Sequence, residues 1–169
     1  GLGMSQGKFE TQLRPADKIN SSGGDVVTFL VTLNEGIEPR PLATVASGGE
    51  LSRLMLAMKC LLARKDMVET VIFDEVDAGI GGEAAEAVAR KIKELSTHHQ
   101  VFCITHLPQI AARGTMHYQV SKSVDNGRTQ TVVMQLSPES RVQELVRMLA
   151  GDSATKQTQA WAEELLDKG

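Results

Sequence analysis

The fold is decided by Glu69-Thr70-Val71-Ile72-Phe73-Asp74-Glu75-Val76-Asp77, which passes from apolar to acidic residues. Its first part, from Thr70 to Phe73, is a short run of β-formers between charged residues and predicts a buried central strand. Open α/β sheets bind ligands at the ends of such strands, and a carboxylate close to a core needs a compensating partner. The stretch therefore predicts an α/β fold with a functional crevice at the acidic end of this strand.

Three carboxylates, those of Asp74, Glu75 and Asp77, would reach this crevice. An apolar strand that ends in Asp-Glu is the Walker B arrangement of nucleotide hydrolases, in which Asp holds Mg²⁺ and Glu polarises the attacking water. The plain alternative is that Asp74 and Glu75 only begin a solvated loop, because short motifs recur by chance. The dipeptide alone does not separate these two interpretations, so the flanking sequence has to.

A second buried strand is predicted from Val101 to Thr105, followed directly by His106. A single predicted helix separates the two strands, and this spacing favours a βαβ unit with a parallel, right-handed pair. His106 would then lie at the same sheet edge as the carboxylates. A lone histidine at a strand end is usually a packed or capping residue, but two polar strand ends that converge favour a site. His98 and His99 are predicted to lie on the surface.

A helix is predicted from Ser47 to about Ala63. Its apolar residues recur with helical spacing, at Leu51, Leu54, Met55, Met58, Leu61 and Leu62. Ser47 and Glu50 have the spacing of a capping box. The intervening Gly48 and Gly49 are not needed for a cap, and glycine costs backbone entropy in a first turn. Since a helix N-terminus binds anions, phosphate binding and plain capping both remain open.

The other segments predict structure but no chemistry. Gly79-x-Gly81-x-x-Ala84 fits a dinucleotide fingerprint formally, but the preceding carboxylates would repel a pyrophosphate, so these glycines are interpreted as a tight turn. Strands are predicted over residues 8–14 and 26–33, and a β-hairpin over 116–122 and 128–136 with an Asn-Gly turn. A helix ending at Gly151 precedes a last helix, for which Asp152 or Ser153 is the predicted cap.

Composition narrows the class of protein. The 169 residues predict one domain, and the 41% hydrophobic and 23% charged residues are ordinary for a globular chain. A net charge of −3 gives no global basic field for nucleic acid. Cys60 and Cys103 lie in apolar runs without metal-ligand spacing, as expected in a reducing compartment. No membrane segment or signal peptide is recognisable, so a soluble cytoplasmic protein is expected.

Three motifs stand in a fixed order: Ser47-Gly48-Gly49-Glu50, then Val71 to Asp77, then Ile104-Thr105-His106. This order resembles the C-terminal half of an ABC-type ATPase head. The residues around the motifs, 45–53, 74–80 and 105–110, narrow the resemblance to the bacterial RecN family of SMC-like DNA repair ATPases. Nearly the whole chain is covered. The resemblance implies the C-terminal lobe of an ABC/SMC-type P-loop NTPase head, with a parallel sheet core, flanking helices and a β-hairpin.

The resemblance also implies roles for residues. Asp74 would hold Mg²⁺, Glu75 would orient or deprotonate the water, and Asp77 would be the D-loop residue that crosses a dimer interface. His106 would be the switch histidine near the γ-phosphate. The signature residues would bind the γ-phosphate of ATP held by a second head; they are Ser47, Gly48, Gly49 and Glu50. The implied setting is double-strand-break repair by a bacterial, nucleoid-associated protein, within recombination and the SOS response.

One motif of such heads is missing. A Walker A loop needs G-x-x-x-x-G-K-[ST], and the only Gly-Lys pair, Gly7-Lys8, has Leu2 and Phe9 at two required positions. The resemblance implies that Walker A lies in an N-terminal segment beyond a long coiled coil. We therefore expect a fragment that is inactive alone and that needs this segment, a second head and, in the full-length protein, DNA as partners.

Two other functions stay open from the residues alone. The chain could be a nucleotide-sensing or scaffold module that dimerises without turnover, although a degenerate head would be expected to lose Glu75. It could also be a stand-alone Mg²⁺-dependent phosphohydrolase built on Asp74, Glu75 and Asp77. The latter would leave the Ser47-Gly48-Gly49 motif and His106 without a role.

Overall fold

The structure, a computed structural model, describes residues 2–4, 6–33, 36–45, 47–125, 128–151 and 153–168. Within these residues the strands are β1 (Lys8–Asn20), β2 (Gly23–Thr32), β3 (Arg40–Pro41), β4 (Thr70–Phe73), β5 (Gln100–Cys103), β6 (Tyr118–Asp125) and β7 (Arg128–Gln135). The helices are α1 (Gly48–Leu62), α2 (Gly82–Leu95), α3 (Pro108–Ala111), α4 (Pro138–Ala150) and α5 (Lys156–Asp167), with a 3₁₀ turn at Leu42–Thr44.

The parallel pair predicted from the sequence is present. β4 and β5 run parallel, with Val71 opposite Val101 and Phe73 opposite Cys103, and α2 connects them. The remaining strands form two antiparallel sheets, one of β1, β2 and β3 and one of β6 and β7. The α/β class and the hairpin are therefore confirmed. The turn residues Asn126 and Gly127 lie outside the described residues.

Strand β4 is covered on one face only, although the sequence predicted a strand buried in the centre of a sheet. Val71 and Phe73 are buried in the main core and belong to the same hydrophobic cluster as Leu56 of α1 and Val88 of α2. Ile72, between them, is 66% exposed, and its partner Phe102 on β5 is 47% exposed. Side chains alternate along a strand, so the two helices cover one face and leave the other open.

Helix α1 buries a different face from the one that its apolar spacing predicted. Gly49, Arg53 and Leu56 are buried, and Cys60 packs against the same core. The predicted stripe is partly or fully exposed, and Leu61 is 85% exposed. The prediction was wrong because α1 carries apolar residues around most of its circumference, so periodicity could not select the face that meets β4.

Helix α2 is the single helix predicted between the two strands, and its buried face is formed by Ala85, Val88, Ala89 and Leu95. Helices α4 and α5 form a second core with α3, made by Ala111, Ala112, Leu145, Ala162 and Leu165. Helix α4 ends as predicted at Gly151, which has a φ of 56°. The cap of α5 differs from the prediction, because Thr155 and Thr158 form a capping box there. Asp152 lies outside the described residues.

The two N-terminal strands form a hairpin that is longer than the predicted strands and largely exposed. β1 extends to Asn20, and only Val31 of the apolar residues in β2 is buried. Phe9 and Phe29 contact each other on this hairpin and are both more than 40% exposed. In the part of the chain that the structure describes, no helix is long and apolar enough to cross a lipid bilayer.

Candidate functional site

The acidic end of β4 forms an exposed loop. Asp74 and Glu75 are both exposed, and the backbone N–H of Glu75 donates to Oδ1 of Asp74 at 3.0 Å. Glu75 has a φ of 57°, the left-handed region that residues other than glycine rarely adopt. Such strained residues cluster at functional sites. The turn therefore presents two carboxylates to solvent at the strand end, where the sequence predicted a crevice.

Asp77 points inward and is only 3% exposed. Its Oδ2 accepts hydrogen bonds from the hydroxyl of Thr105 at 2.6 Å and from the backbone N–H of His106 at 2.8 Å. The structure thus joins the carboxyl ends of β4 and β5, as the parallel pairing predicted. The predicted role of Asp77 across a dimer interface remains a prediction, but its burial disfavours that role. In this chain its carboxylate is engaged by its own neighbours.

His106 lies beside Asp77 but faces the solvent. Its Nδ1 is 3.0 Å from Oδ2 of Asp77, whereas its side chain is 71% exposed. The ring is therefore held at one edge and accessible at the other. This is the geometry of a histidine that can contact a ligand, rather than of one packed into the core.

The N-terminus of α1 lies next to this loop. Ser47 caps the helix, because its hydroxyl accepts from the backbone N–H of Glu50 at 3.4 Å. Ser47 and Gly48 are exposed, whereas Gly49 is buried and the amide of Glu50 is bonded to Ser47, so a ligand could reach the helix start at Ser47 and Gly48. Capping and anion binding are therefore compatible at this position.

Gly49 also has an internal reason to be glycine, whereas Gly48 does not. A Cβ atom at Gly49 would lie 2.8 Å from Cβ and 3.0 Å from the carbonyl oxygen of Ala78, but one at Gly48 would meet only the movable carboxylate end of Glu75. The helix start and the loop after β4 therefore touch through backbone. This contact was not predicted, because the approach of a phosphate was the only reason found in the sequence for glycine at these positions.

Arg53 is a residue of this region that sequence reasoning passed over. It is 4% exposed, and its Nη1 donates to the carbonyl oxygens of Ala78 at 2.8 Å and Val76 at 3.4 Å. Burial lowers the pKa of the guanidinium, and the charge of Glu50 opposes this shift. Arg53 ties α1 to the loop after β4. Its spacing of four residues from Gly49 was the available signal, since both positions lie on one helix face.

Replacing Gly49 with alanine is expected to lower the free energy of unfolding by about 1–3 kcal/mol, because the new methyl group overpacks against Ala78. Urea denaturation of the chain measures this loss. Gly24→Ala is the control, since its Cβ would meet only Ile19 at an ordinary 3.6 Å. Equal stability of the Gly49→Ala variant and the native chain would show that the helix start does not contact the loop.

Two other residues next to these strands, His99 and Cys103, have no role in the candidate site. His99, predicted on the surface, is 7% exposed, with Nδ1 2.6 Å from the carbonyl oxygen of Val68. It links the segments that enter β4 and β5, at the opposite end from the carboxylates. Burial raises the pKa of the Cys103 thiol to about 12, so this cysteine behaves as the small hydrophobe that the sequence predicted.

The side chains at the end of β4 supply some, but not all, of the oxygen ligands that a Mg²⁺ ion needs. The exposed carboxylate of Asp74 is the oxygen ligand that Mg²⁺ prefers. In the described ranges, no group of three or more His, Cys, Asp or Glu side chains is arranged to hold a metal ion. Asp74 therefore suits one position in the coordination shell of a Mg²⁺ whose other ligands come from elsewhere.

The chain is similar over its whole length to DNA repair proteins. RecN of Treponema pallidum is 47% identical over 99% of this chain, and RecN of Xylella fastidiosa is 44% identical over 99%. RecN of Bacillus subtilis is 46% identical over 88% of the chain. The chain spans 30%, 30% and 26% of the lengths of these three relatives. No protein-family model matches the chain.

Solved structures agree on the fold. The Smc head domain of Pyrococcus yayanosii, with a coiled coil and joint, superposes with a TM-score of 0.58 at 24% identity, over 85% of this chain and 26% of that one. The Smc head domain of Pyrococcus furiosus superposes with a TM-score of 0.54 at 23% identity, over 86% and 35%. The chain therefore corresponds to a C-terminal segment of RecN-type DNA repair proteins and has the fold of an Smc head.

Proposed function

We propose that this chain is the C-terminal half of the ATPase head of a RecN-like protein that acts in double-strand-break repair. Two heads would dimerise around ATP, and hydrolysis would control how a coiled coil holds DNA. The observation that carries this proposal is the convergence of two strand ends. Asp74 and Glu75 follow β4, His106 follows β5, and the buried carboxylate of Asp77 joins them.

Each residue has a role in this proposal. Asp74 supplies an oxygen ligand to Mg²⁺, which would neutralise phosphate charge when bound. Glu75 orients the attacking water or accepts its proton, and its exposure is what such a role needs. His106 contacts the γ-phosphate through the exposed side of its ring. The α1 N-terminus contacts the γ-phosphate of ATP on the second head, through Ser47, Gly48, Gly49 and Glu50.

A second chain segment has to complete the site. The sequence has no Walker A loop, so the phosphates need a cradle from elsewhere, and an N-terminal segment of the same protein is the proposed source. The open face of the β4–β5 sheet supports this proposal. Ile72, Phe102 and Ile104 are 66%, 47% and 60% exposed there. An apolar face of this kind suits a further layer of the same domain.

The cellular setting is also part of the proposal. Net charge is −3, so DNA contact would come from the full-length protein rather than from a general basic field of this segment. A bacterial cytoplasmic protein that associates with the nucleoid fits these features. DNA repair by RecN relatives at 41–47% identity supports this setting.

The test is ATP turnover by this chain mixed with a separately expressed N-terminal segment that carries Walker A. We expect neither piece to hydrolyse ATP alone and the mixture to do so. Hydrolysis by this chain unaided would overturn the proposal. A mixture that binds ATP and associates without turnover would instead support the nucleotide-sensing scaffold.

A further inference from the structure

We propose that Asp77 is a positioning residue, which fixes the main chain, ring orientation and tautomer of His106. This inference deepens the proposed function and rests on it for its catalytic consequence. Its structural part stands on the contacts of Asp77 alone and can be tested without ATP.

The contacts converge on a single oxygen atom. Oδ2 of Asp77 accepts from the Thr105 hydroxyl and from the His106 backbone N–H, and Nδ1 of His106 lies 3.0 Å away. The Thr105 hydroxyl in turn accepts from the backbone N–H of Leu107 at 3.0 Å. Thr105 and His106 are therefore bonded to one buried carboxylate, and Leu107 is linked to it through the Thr105 hydroxyl. The backbone that carries His106 has little freedom to move.

The same carboxylate selects the tautomer of the imidazole. The pair is close but does not have the alignment of a hydrogen bond, so the effect is one of charge: 3.0 Å from a carboxylate oxygen, a hydrogen on Nδ1 is favoured over a lone pair. In the neutral ring this leaves Nε2 as the acceptor. Since the side chain is 71% exposed, Nε2 is the nitrogen available to a water molecule or a ligand.

A purely structural role does not explain the charge of Asp77. An amide oxygen could accept the same bonds from Thr105 and the His106 backbone, without a charge to desolvate. A carboxylate that is 3% exposed is more expensive to bury than an amide. What the charge adds is its interaction with the ring of His106, which an amide would hold more weakly and in either tautomer.

The first experiment reads the tautomer directly by NMR of the chain labelled with ¹⁵N-histidine, at a pH where the rings are neutral. The chain has four histidines, and His106→Asn assigns the signal of His106. We expect Nδ1–H in the native chain and a shift of the population toward Nε2–H in Asp77→Asn. Nε2–H in the native chain would overturn the proposal.

Two controls separate positioning from general damage. Thr105→Val removes one donor but leaves the carboxylate beside the ring, so the tautomer of His106 is expected to stay Nδ1–H. Asp25→Asn removes a carboxylate from the exposed strand β2 and is expected to change nothing at His106. If Thr105→Val shifted the tautomer as far as Asp77→Asn, the hydroxyl rather than the charge would hold the ring.

The second experiment measures ATP turnover by the mixture of this chain with the Walker A segment. For Asp77→Asn we expect kcat to fall on the order of tenfold to a hundredfold, as when the partner that orients a functional histidine is lost. KM for ATP is expected to stay within about twofold, because the ground-state contacts remain. An unchanged kcat would overturn the catalytic part. An inactive native mixture with the expected tautomer would instead refute the proposed function and leave the positioning intact.

Discussion

Replacing Glu75 with glutamine is expected to slow ATP hydrolysis about 10²–10⁴-fold in the mixture of this chain with its Walker A segment. Glutamine has the shape of glutamate but cannot accept the proton of the attacking water. Glu75 is exposed, so the substitution leaves no cavity or unpaired buried group. Phosphate release under saturating ATP measures the loss. The heads of this variant are expected still to associate when ATP is present, and analytical sedimentation measures that association.

The matched control is Glu83→Gln. Glu83 is an exposed glutamate in the first turn of α2, a short distance along the chain from Glu75. Its replacement is expected to leave turnover within about twofold, since charge at an exposed helix end contributes little. If the Glu75→Gln variant hydrolysed ATP as fast as the Glu83→Gln variant, another group would have to activate the water. His106 would then be the residue to examine.

Elements with one dominant local signal could be predicted from the sequence. The β-formers of β4 and β5 stand next to charged or polar residues, and α2 has alanine and branched aliphatic residues on one side only. The parallel pairing followed from the helix-length spacing between the two strands. The meeting of His106 with the acidic loop followed from that pairing and needed no further information.

The face of a helix or strand that is buried could not be predicted where apolar residues lie on both of its sides. Helix α1 has Leu61 on one side and Leu56 on another, and only Leu56 meets the core. Strand β4 likewise looked buried on both faces, because Ile72 is as apolar as Val71. The choice of face depends on neighbours far away in sequence or outside this chain, and a periodic pattern contains no information about them.

Side-chain direction in turns was the other point that the sequence left open. Val76 and Asp77 are adjacent and both buried, which breaks the alternation that β4 would have continued. The left-handed backbone of Glu75 produces this change of direction. The inward carboxylate of Asp77 has no periodic signal. The only sequence signal for the buried guanidinium of Arg53 is its helical spacing from Gly49, which a polar residue does not make conspicuous.

Leu56→Ala is expected to lower the free energy of unfolding by about 2–5 kcal/mol, because Leu56 is fully buried between α1 and β4 and the neighbours cannot close the cavity. Chemical denaturation of the chain measures the loss. Leu61→Ala on the same helix is the matched control and is expected to cost at most about 0.5 kcal/mol, since Leu61 is 85% exposed.

The difference in stability between Leu56→Ala and Leu61→Ala decides which face of α1 meets the core. Both substitutions remove the same atoms from the same helix, so helix propensity cancels between them. A larger loss for Leu61→Ala would favour the face that the apolar spacing predicted. Arg53 and Gly49 would then point away from β4, and the contact between the helix start and the acidic loop would be lost. The expected order instead keeps the start of α1 and the loop that carries Glu75 in one rigid unit, so that a movement of the signature residues would also move Glu75.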